Sequence, residues 1–249
     1  MFAYNSVGDD AGRPFACWQV SRGLLEDQLA AVSEARVAFR TLTLAVSCQD
    51  PTTVGLTVDD GFADLLDALP ITQRYARSAT LYVPSGLVGG GARWLVTERE
   101  DHRRLLSWDD LAALPDGIEI DSHSRTHPAV DVLPPVELAA EVAGSRTELE
   151  QRLGRPVGTF TYPFGFHDTR VRRAVRVAGY SSAGEVGYRR HRRGRSTLTL
   201  SRLLVTPGTT PEQLVRLVTG RAVQLRRLTR PARPLHRQVR RRRARGVVG

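Results

Sequence analysis

The sequence predicts a parallel α/β fold, either a wound sheet or a closed barrel. Two observations carry that expectation. Apolar runs of strand length alternate along the chain with helix-length patterns, the signature of repeated βαβ units. Three of those strands are followed at once by acids, histidines or a tight Pro/Gly turn, at the strand end where such folds place their chemistry.

The elements follow in chain order. Val54-Gly55-Leu56-Thr57-Val58 reads as a strand, and residues 62–77 as a helix that Pro70 should break or kink. Ala79-Thr80-Leu81-Tyr82-Val83 is a second strand, and a loop with Gly89-Gly90-Gly91 follows it. Ser107 and Asp110 have capping-box spacing for a short helix, which Pro115-Asp116-Gly117 ends. Ile118-Glu119-Ile120 is a third strand. From Pro134 to Leu153, the side chains of Leu138, Val142, Leu149 and Leu153 share one helical face, and Gly154 stands where a C-terminal cap belongs. Thr159-Phe160-Thr161-Tyr162 gives another strand. Residues 168–178 give another helix, stopped by Gly179. A late strand covers 198–205, and Pro211 opens the last helix.

Charge divides the chain in two. It has 249 residues, 36 of them basic and 26 acidic, and every basic residue is Arg. The first 220 residues hold 25 Arg and all 26 acids, whereas the last 29 hold 11 Arg and no acid. The basic character therefore belongs to a tail. Residues 1–220 read as one domain, and 221–249 as an Arg-rich extension, helical at its start and disordered beyond. With 41% apolar residues the chain can fill a core, which excludes a wholly disordered protein. No apolar run approaches the roughly 20 residues of a membrane span. Met1-Phe2-Ala3-Tyr4-Asn5 has neither the basic start nor the apolar stretch of a signal peptide, so a cytoplasmic protein is expected. Cys17 and Cys48 are too few for a disulfide scaffold or a Cys-rich zinc site and are expected to be packing residues.

The chemistry-bearing residues stand directly after strands. Asp59-Asp60-Gly61 follows the first, Asp121-Ser122-His123-Ser124-Arg125-Thr126-His127-Pro128 the third, and Tyr162-Pro163-Phe164-Gly165 the next. His123 and His127, four residues apart, can present both imidazoles to one side. Two imidazoles and one carboxylate with a fourth position open is a common catalytic zinc set. Asp60 could be that carboxylate, leaving Asp59 free as a base. Adjacent residues on an extended segment point opposite ways, which suits two different jobs.

Together these motifs resemble the polysaccharide deacetylases, the NodB-homology group of carbohydrate esterase family 4. The family's Thr-Phe-Asp-Asp-Gly appears as Thr57-Val58-Asp59-Asp60-Gly61, its His-x-x-x-His as His123 to His127, and its Tyr-Pro-Tyr/Phe-Gly turn as Tyr162 to Gly165. Connecting text is similar too, in Leu106-Ser107-Trp108, Gly179-Tyr180 and Ser201-Arg202. The likeness runs over about residues 2–220. It implies an irregular (β/α) barrel with the basic C-terminal extension appended. It implies Asp60, His123 and His127 as ligands of a divalent metal, zinc being the expected ion. Asp59 is implied as general base, and the backbone N–H near Phe164 as an oxyanion contact. The implied reaction removes an N-acetyl group from an acetamido sugar in a glycan, glycolipid or glycosylated small molecule and releases acetate.

Three departures from the family pattern, and the place of Glu185, bear on mechanism. The late strand reads Leu203-Leu204-Val205-Thr206-Pro207, without the His that usually supplies the general acid; His167, just past the third motif, is the replacement candidate. Thr161 and Tyr162 stand where many members carry an Arg. Glu185 is placed to help orient the base. Asn5 stands where many relatives have His. A second reading follows: a non-catalytic, glycan- or membrane-binding relative that kept its metal but lost its acid. The Arg runs, in 189–195 and in the tail, suit an anionic membrane surface. No aromatic residue lies beyond Tyr188, which argues against sequence-specific nucleic-acid recognition.

Overall fold

A computed structural model of the chain describes residues 1–12, 14–48, 50–187 and 194–220. The Arg-rich extension 221–249, with its expected helical start, and most of the basic run 189–195 lie outside the described residues. The elements in order are β1 (Phe2–Tyr4), β2 (Ser6–Val7), β3 (Gln19–Val20), α1 (Arg22–Glu34), β4 (Ala38–Arg40), α2 (Leu42–Ser47), β5 (Thr53–Val58), α3 (Leu65–Tyr75), β6 (Ala79–Val83), α4 (Trp108–Ala112), β7 (Ile118–Ser122), α5 (Pro135–Leu153), β8 (Thr159–Thr161), α6 (Thr169–Val177), β9 (Ser182–Val186), β10 (Leu200–Leu204) and α7 (Pro211–Val218).

Every named strand pairing is parallel. β1 pairs with β5 on one side and β10 on the other, so the ring β1-β5-β6-β7-β8-β9-β10 closes on itself. This is the expected (β/α) barrel, with seven strands. β4 adds beside the start of β5, and β2 with β3 forms a separate two-stranded pair. The helices cover the barrel with apolar stripes: Leu25, Leu29 and Val32 from α1, Leu138, Val142 and Leu149 from α5, Val171 and Val175 from α6. Burying each such side chain contributes on the order of 1.5–3 kcal/mol, which is why α6 forms despite an Arg-rich outer face.

Local signals placed many boundaries correctly. Ser107 and Asp110 make the capping box of α4, Asp168 caps α6, and Gly154 ends α5 with φ 64°. Other expectations change. The helix after the Asp-Asp-Gly turn starts at Leu65, and Pro70 lies inside it without ending it; the cost is one hydrogen bond, to the carbonyl of Leu66. Cys17 and Cys48 are exposed free thiols, not packing residues, because both fall at turns on the surface. β9 was hidden by its composition. Ser182-Ala183-Gly184-Glu185-Val186 lacks an apolar run, and Gly184 is needed because a Cβ there would stand 2.5 Å from Arg202 Nε.

Candidate metal centre

Two strand ends bring the three candidate ligands together. Asp60 follows β5, while His123 and His127 follow β7. All three are buried. Asp60 Oδ1 lies 3.3 Å from His123 Nε2 and 3.1 Å from His127 Nε2. One ligand atom from each residue lies within 4.8 Å of the others, and no other such group occurs among the described residues. The backbone is bent to achieve this: Asp60 has φ 74°, Ser124 φ 64° and His127 φ 60°. Left-handed conformations at non-glycine residues cost about 1–3 kcal/mol each and persist where surrounding contacts enforce them. The Ser124 hydroxyl accepts from the His127 N–H at 3.0 Å and helps to hold that turn.

The donor set fits a cation. Burial pushes the Asp60 carboxyl up, but hydrogen bonding and charge from His123 and His127 more than reverse this and hold it well below the usual carboxylate range. His123 Nδ1 stands 2.9 Å from the carbonyl of Thr161 and 2.6 Å from its hydroxyl. A carbonyl only accepts, so the ring proton belongs on Nδ1 and Nε2 offers a lone pair toward Asp60. Without a cation the second contact needs an imidazolium; a divalent ion satisfies carboxylate and lone pairs together. The 3.1 and 3.3 Å spacings also match the roughly 3.3 Å edge of a tetrahedron with metal–ligand bonds of about 2.0–2.1 Å. Asn5 Nδ2 donates to the other Asp60 oxygen at 2.8 Å, as a partner behind a metal ligand does.

The polysaccharide deacetylase family profile matches residues 47–183, more than half of the chain. The chain belongs to the polysaccharide deacetylase family. It is similar to YxkH of Bacillus subtilis (strain 168), which carries a polysaccharide deacetylase name: 24% identical over 155 residues, 61% of this chain. The chain spans about half, 51%, of the length of that curated relative. The fold is similar to that of the Streptococcus pyogenes deacetylase PplD, solved in complex with acetate (TM-score 0.75, 20% identity, 87% of this chain and 96% of that one). It is also similar to IcaB from Ammonifex degensii (TM-score 0.74, 22% identity, 87% and 95%).

Around the candidate ligands, this deacetylase-family chain shows contacts that motif reading missed. Arg202 of β10, fully buried, reaches past β1 to β5 and grips Asp59 with two bonds, Nη1 to Oδ1 at 2.6 Å and Nη2 to Oδ2 at 2.8 Å. Nη1 also donates to Thr57 Oγ1 at 2.8 Å, and the guanidinium lies over the Tyr82 ring. Burial works against the Arg202 cation, but Asp59 more than offsets this and raises its pKa. The Arg missing from the third motif is thus supplied from another strand. Its sequence signals are a lone cation in the mostly apolar run 200–205 and the family-like pair Ser201-Arg202, neither of which says what it meets. Thr161, at the position of that missing Arg, instead holds His123.

Glu185 of β9 pairs with His167: Nε2 to Oε2 is 2.8 Å, and Arg172 Nη1 stands 3.0 Å from Nδ1. Arg only donates, so Nδ1 accepts and the His167 proton sits on Nε2, aimed at Glu185. The Tyr162 ring packs 4.4 Å from the imidazole. Phe164 has φ 58° in the turn Pro163–Gly165, and its ring meets His127 edge-on at 4.6 Å. The described residues thus gather Asp59, Asp60, His123, His127 and Phe164 at one mouth. His167 stands beside it in a separate Glu185–Arg172 network.

Proposed function

We propose that this chain is a metal-dependent hydrolase that removes N-acetyl groups from an acetamido sugar of a glycan, glycolipid or glycosylated small molecule, releasing acetate. One observation carries the reading: two adjacent buried carboxylates have different partners, Asp60 with two imidazoles and Asp59 with Arg202. A site that only binds has little use for the second. Asp60, His123 and His127 would hold the cation, with zinc the expected ion. When bound, that ion supplies Lewis acidity at the acetyl carbonyl and acidifies water.

The chain's residues do the rest. Asp59 takes a proton from the attacking water, and the Arg202 fork keeps its oxygens in a fixed plane while doing so. The backbone N–H near Phe164 stabilises the developing oxyanion. The departing amine needs a proton, and the chain offers two sources: Asp59, which has just gained one, and His167 once Arg172 has released its Nδ1 and the ring has taken up a second proton. His167→Asn separates them. A large fall in kcat assigns the proton to His167, and unchanged kcat assigns it to Asp59.

The absence of His from 203–207 favours one other reading, a glycan- or membrane-binding relative without turnover. Acetate release from acetamido-sugar oligomers decides between them. We expect release to stop on chelation, return with zinc, and fall about 10³-fold in Asp59→Asn, within the 10²–10⁴ range of a lost general base. No metal-dependent release from any acetylated sugar would sink the enzyme reading. No helix among the described residues is long and apolar enough to cross a membrane. Peripheral attachment to an anionic surface would fall to the tail. Liposome co-sedimentation of the full chain and of one ending at Gly220 tests it, and equal binding excludes the tail.

A further inference from the structure

The two imidazoles of the cluster are held by different means. His123 has Thr161 behind its Nδ1. His127 lies between aromatic rings. The Trp94 indole is stacked on it, with centroids 4.3 Å apart and planes 27° from parallel, while Phe164 meets it edge-on at 83°. His127 also carries a left-handed φ, so its ring direction depends on what surrounds it rather than on a relaxed backbone.

Trp94 is itself fixed to the other ligand's loop. It belongs to the short turn Arg93–Glu98 in the long connection between β6 and α4. Its indole lies 6.0 Å from the ring of Phe62, which in turn meets Phe15 edge-on at 5.4 Å. Phe62 stands two residues after Asp60 and bridges to Leu105, and the Leu106 N–H donates to the Gly61 carbonyl at 2.9 Å. The connection carrying Trp94 is therefore pinned to the Asp59-Asp60-Gly61 turn and braces His127 against Asp60.

We propose that Trp94 is a positioning residue for the metal centre: its indole face sets the plane of the His127 imidazole, and with it the affinity for the divalent ion. This rests on reading Asp60, His123 and His127 as metal ligands. Partners behind a metal ligand are worth about 10–100-fold in affinity. A flat ring stacked on the imidazole opposes rotation of the His127 ring out of that plane.

The test uses cobalt(II) on the metal-stripped full chain, read by equilibrium affinity and by the visible ligand-field bands of the ion. Trp94→Leu and Trp94→Met keep bulk but remove the ring, so either alone suffices if the other fails to fold. Each should weaken cobalt binding about 10–100-fold and shift the bands. Trp94→Phe, which restores a ring, should return affinity to within about threefold, a rescue that a merely space-filling role would not give. Wild-type affinity and unaltered bands in Trp94→Leu or Trp94→Met would overturn the proposal. Asp60→Asn is the separate control. If wild type binds no cobalt, or Asp60→Asn binds it equally well, the metal centre itself fails and the role of Trp94 falls with it.

Discussion

The strands that carry the candidate metal cluster and the strands that face it across the barrel follow different rules. β5 and β7 end in compact runs, Asp59-Asp60-Gly61 and Ser122 to His127, whose backbone turns left-handed at Asp60, Ser124 and His127. β9 and β10 contribute single residues from within regular strands, Glu185 and Arg202. In the first region the chemistry is local: a few consecutive residues fold back so that their own side chains converge. In the second it exists only once the sheet has closed, because strand register alone brings Arg202 to Asp59. Local constellations store backbone strain; register-dependent ones store the desolvation of a buried charge.

The largest test breaks the second region. Arg202→Met leaves the buried Asp59 carboxylate without its partner. Removing one member of a buried pair costs about 3–5 kcal/mol, most of it the penalty on the charge left behind. Urea unfolding should therefore show a loss of that order. Asp59→Asn added to Arg202→Met should recover part of it, since a neutral amide tolerates the site better. A loss under about 1 kcal/mol would mean that water or another cation reaches Asp59, and the contrast between the regions would fail.

That contrast also explains what could be read in advance. The grouping of Asp60, His123 and His127, and the turn around Phe164, were legible because they follow from spacing over two to five residues after an apolar strand. The helix caps Ser107 and Gly154 were legible for the same local reason. Arg202 and Glu185 were not legible as a pair of anchors, since nothing local says which barrel residue each will meet. Gly184 and Arg202 show the limit well. Each looks wrong for a strand, and only together do they make sense, the glycine leaving room for the guanidinium. Glu185 had been expected near the base; it pairs instead with His167, and Arg202 holds Asp59.

A second test lies within the first region, where carboxylates four residues apart are driven in opposite directions. Asp60 is held down by two imidazoles, whereas burial pushes Asp64 up to about 6, against the pull of the Ser6 hydroxyl, the Val7 N–H and Arg103. A folded-state value above the unfolded 3.8 means that the native chain binds more protons between those two pH values. The stability Asp64 contributes is thus full below about pH 3.8 and is lost as pH rises through about 6. Two units correspond to about 3 kcal/mol at most, and about 1–3 kcal/mol once Arg103 is allowed to relax toward the ionised form. Asp64→Asn should flatten the stability profile from pH 4 to 6.5 and gain relative to wild type at pH 7.5. Parallel profiles for the two chains would show that Asp64 is not perturbed.

The smallest effect falls on the strand that joins the two regions. β1 pairs with both β5 and β10, and Asn5 just beyond it donates to Asp60 Oδ2, a single-residue contribution to the clustered side. Asn5→Ala removes that bond and leaves the ligands in place, so Asp60 should rotate more freely and zinc affinity should fall about tenfold, or about 1.4 kcal/mol. Global stability should change less than it does in Arg202→Met, because no buried charge is stripped of an ionic partner. Competition with a zinc chelator and urea unfolding, measured on the same samples, separate the two quantities. If Asn5→Ala loses stability like Arg202→Met while keeping its zinc affinity, Asn5 belongs with the register-dependent scaffold, and the boundary between the two regions must be redrawn on its other side.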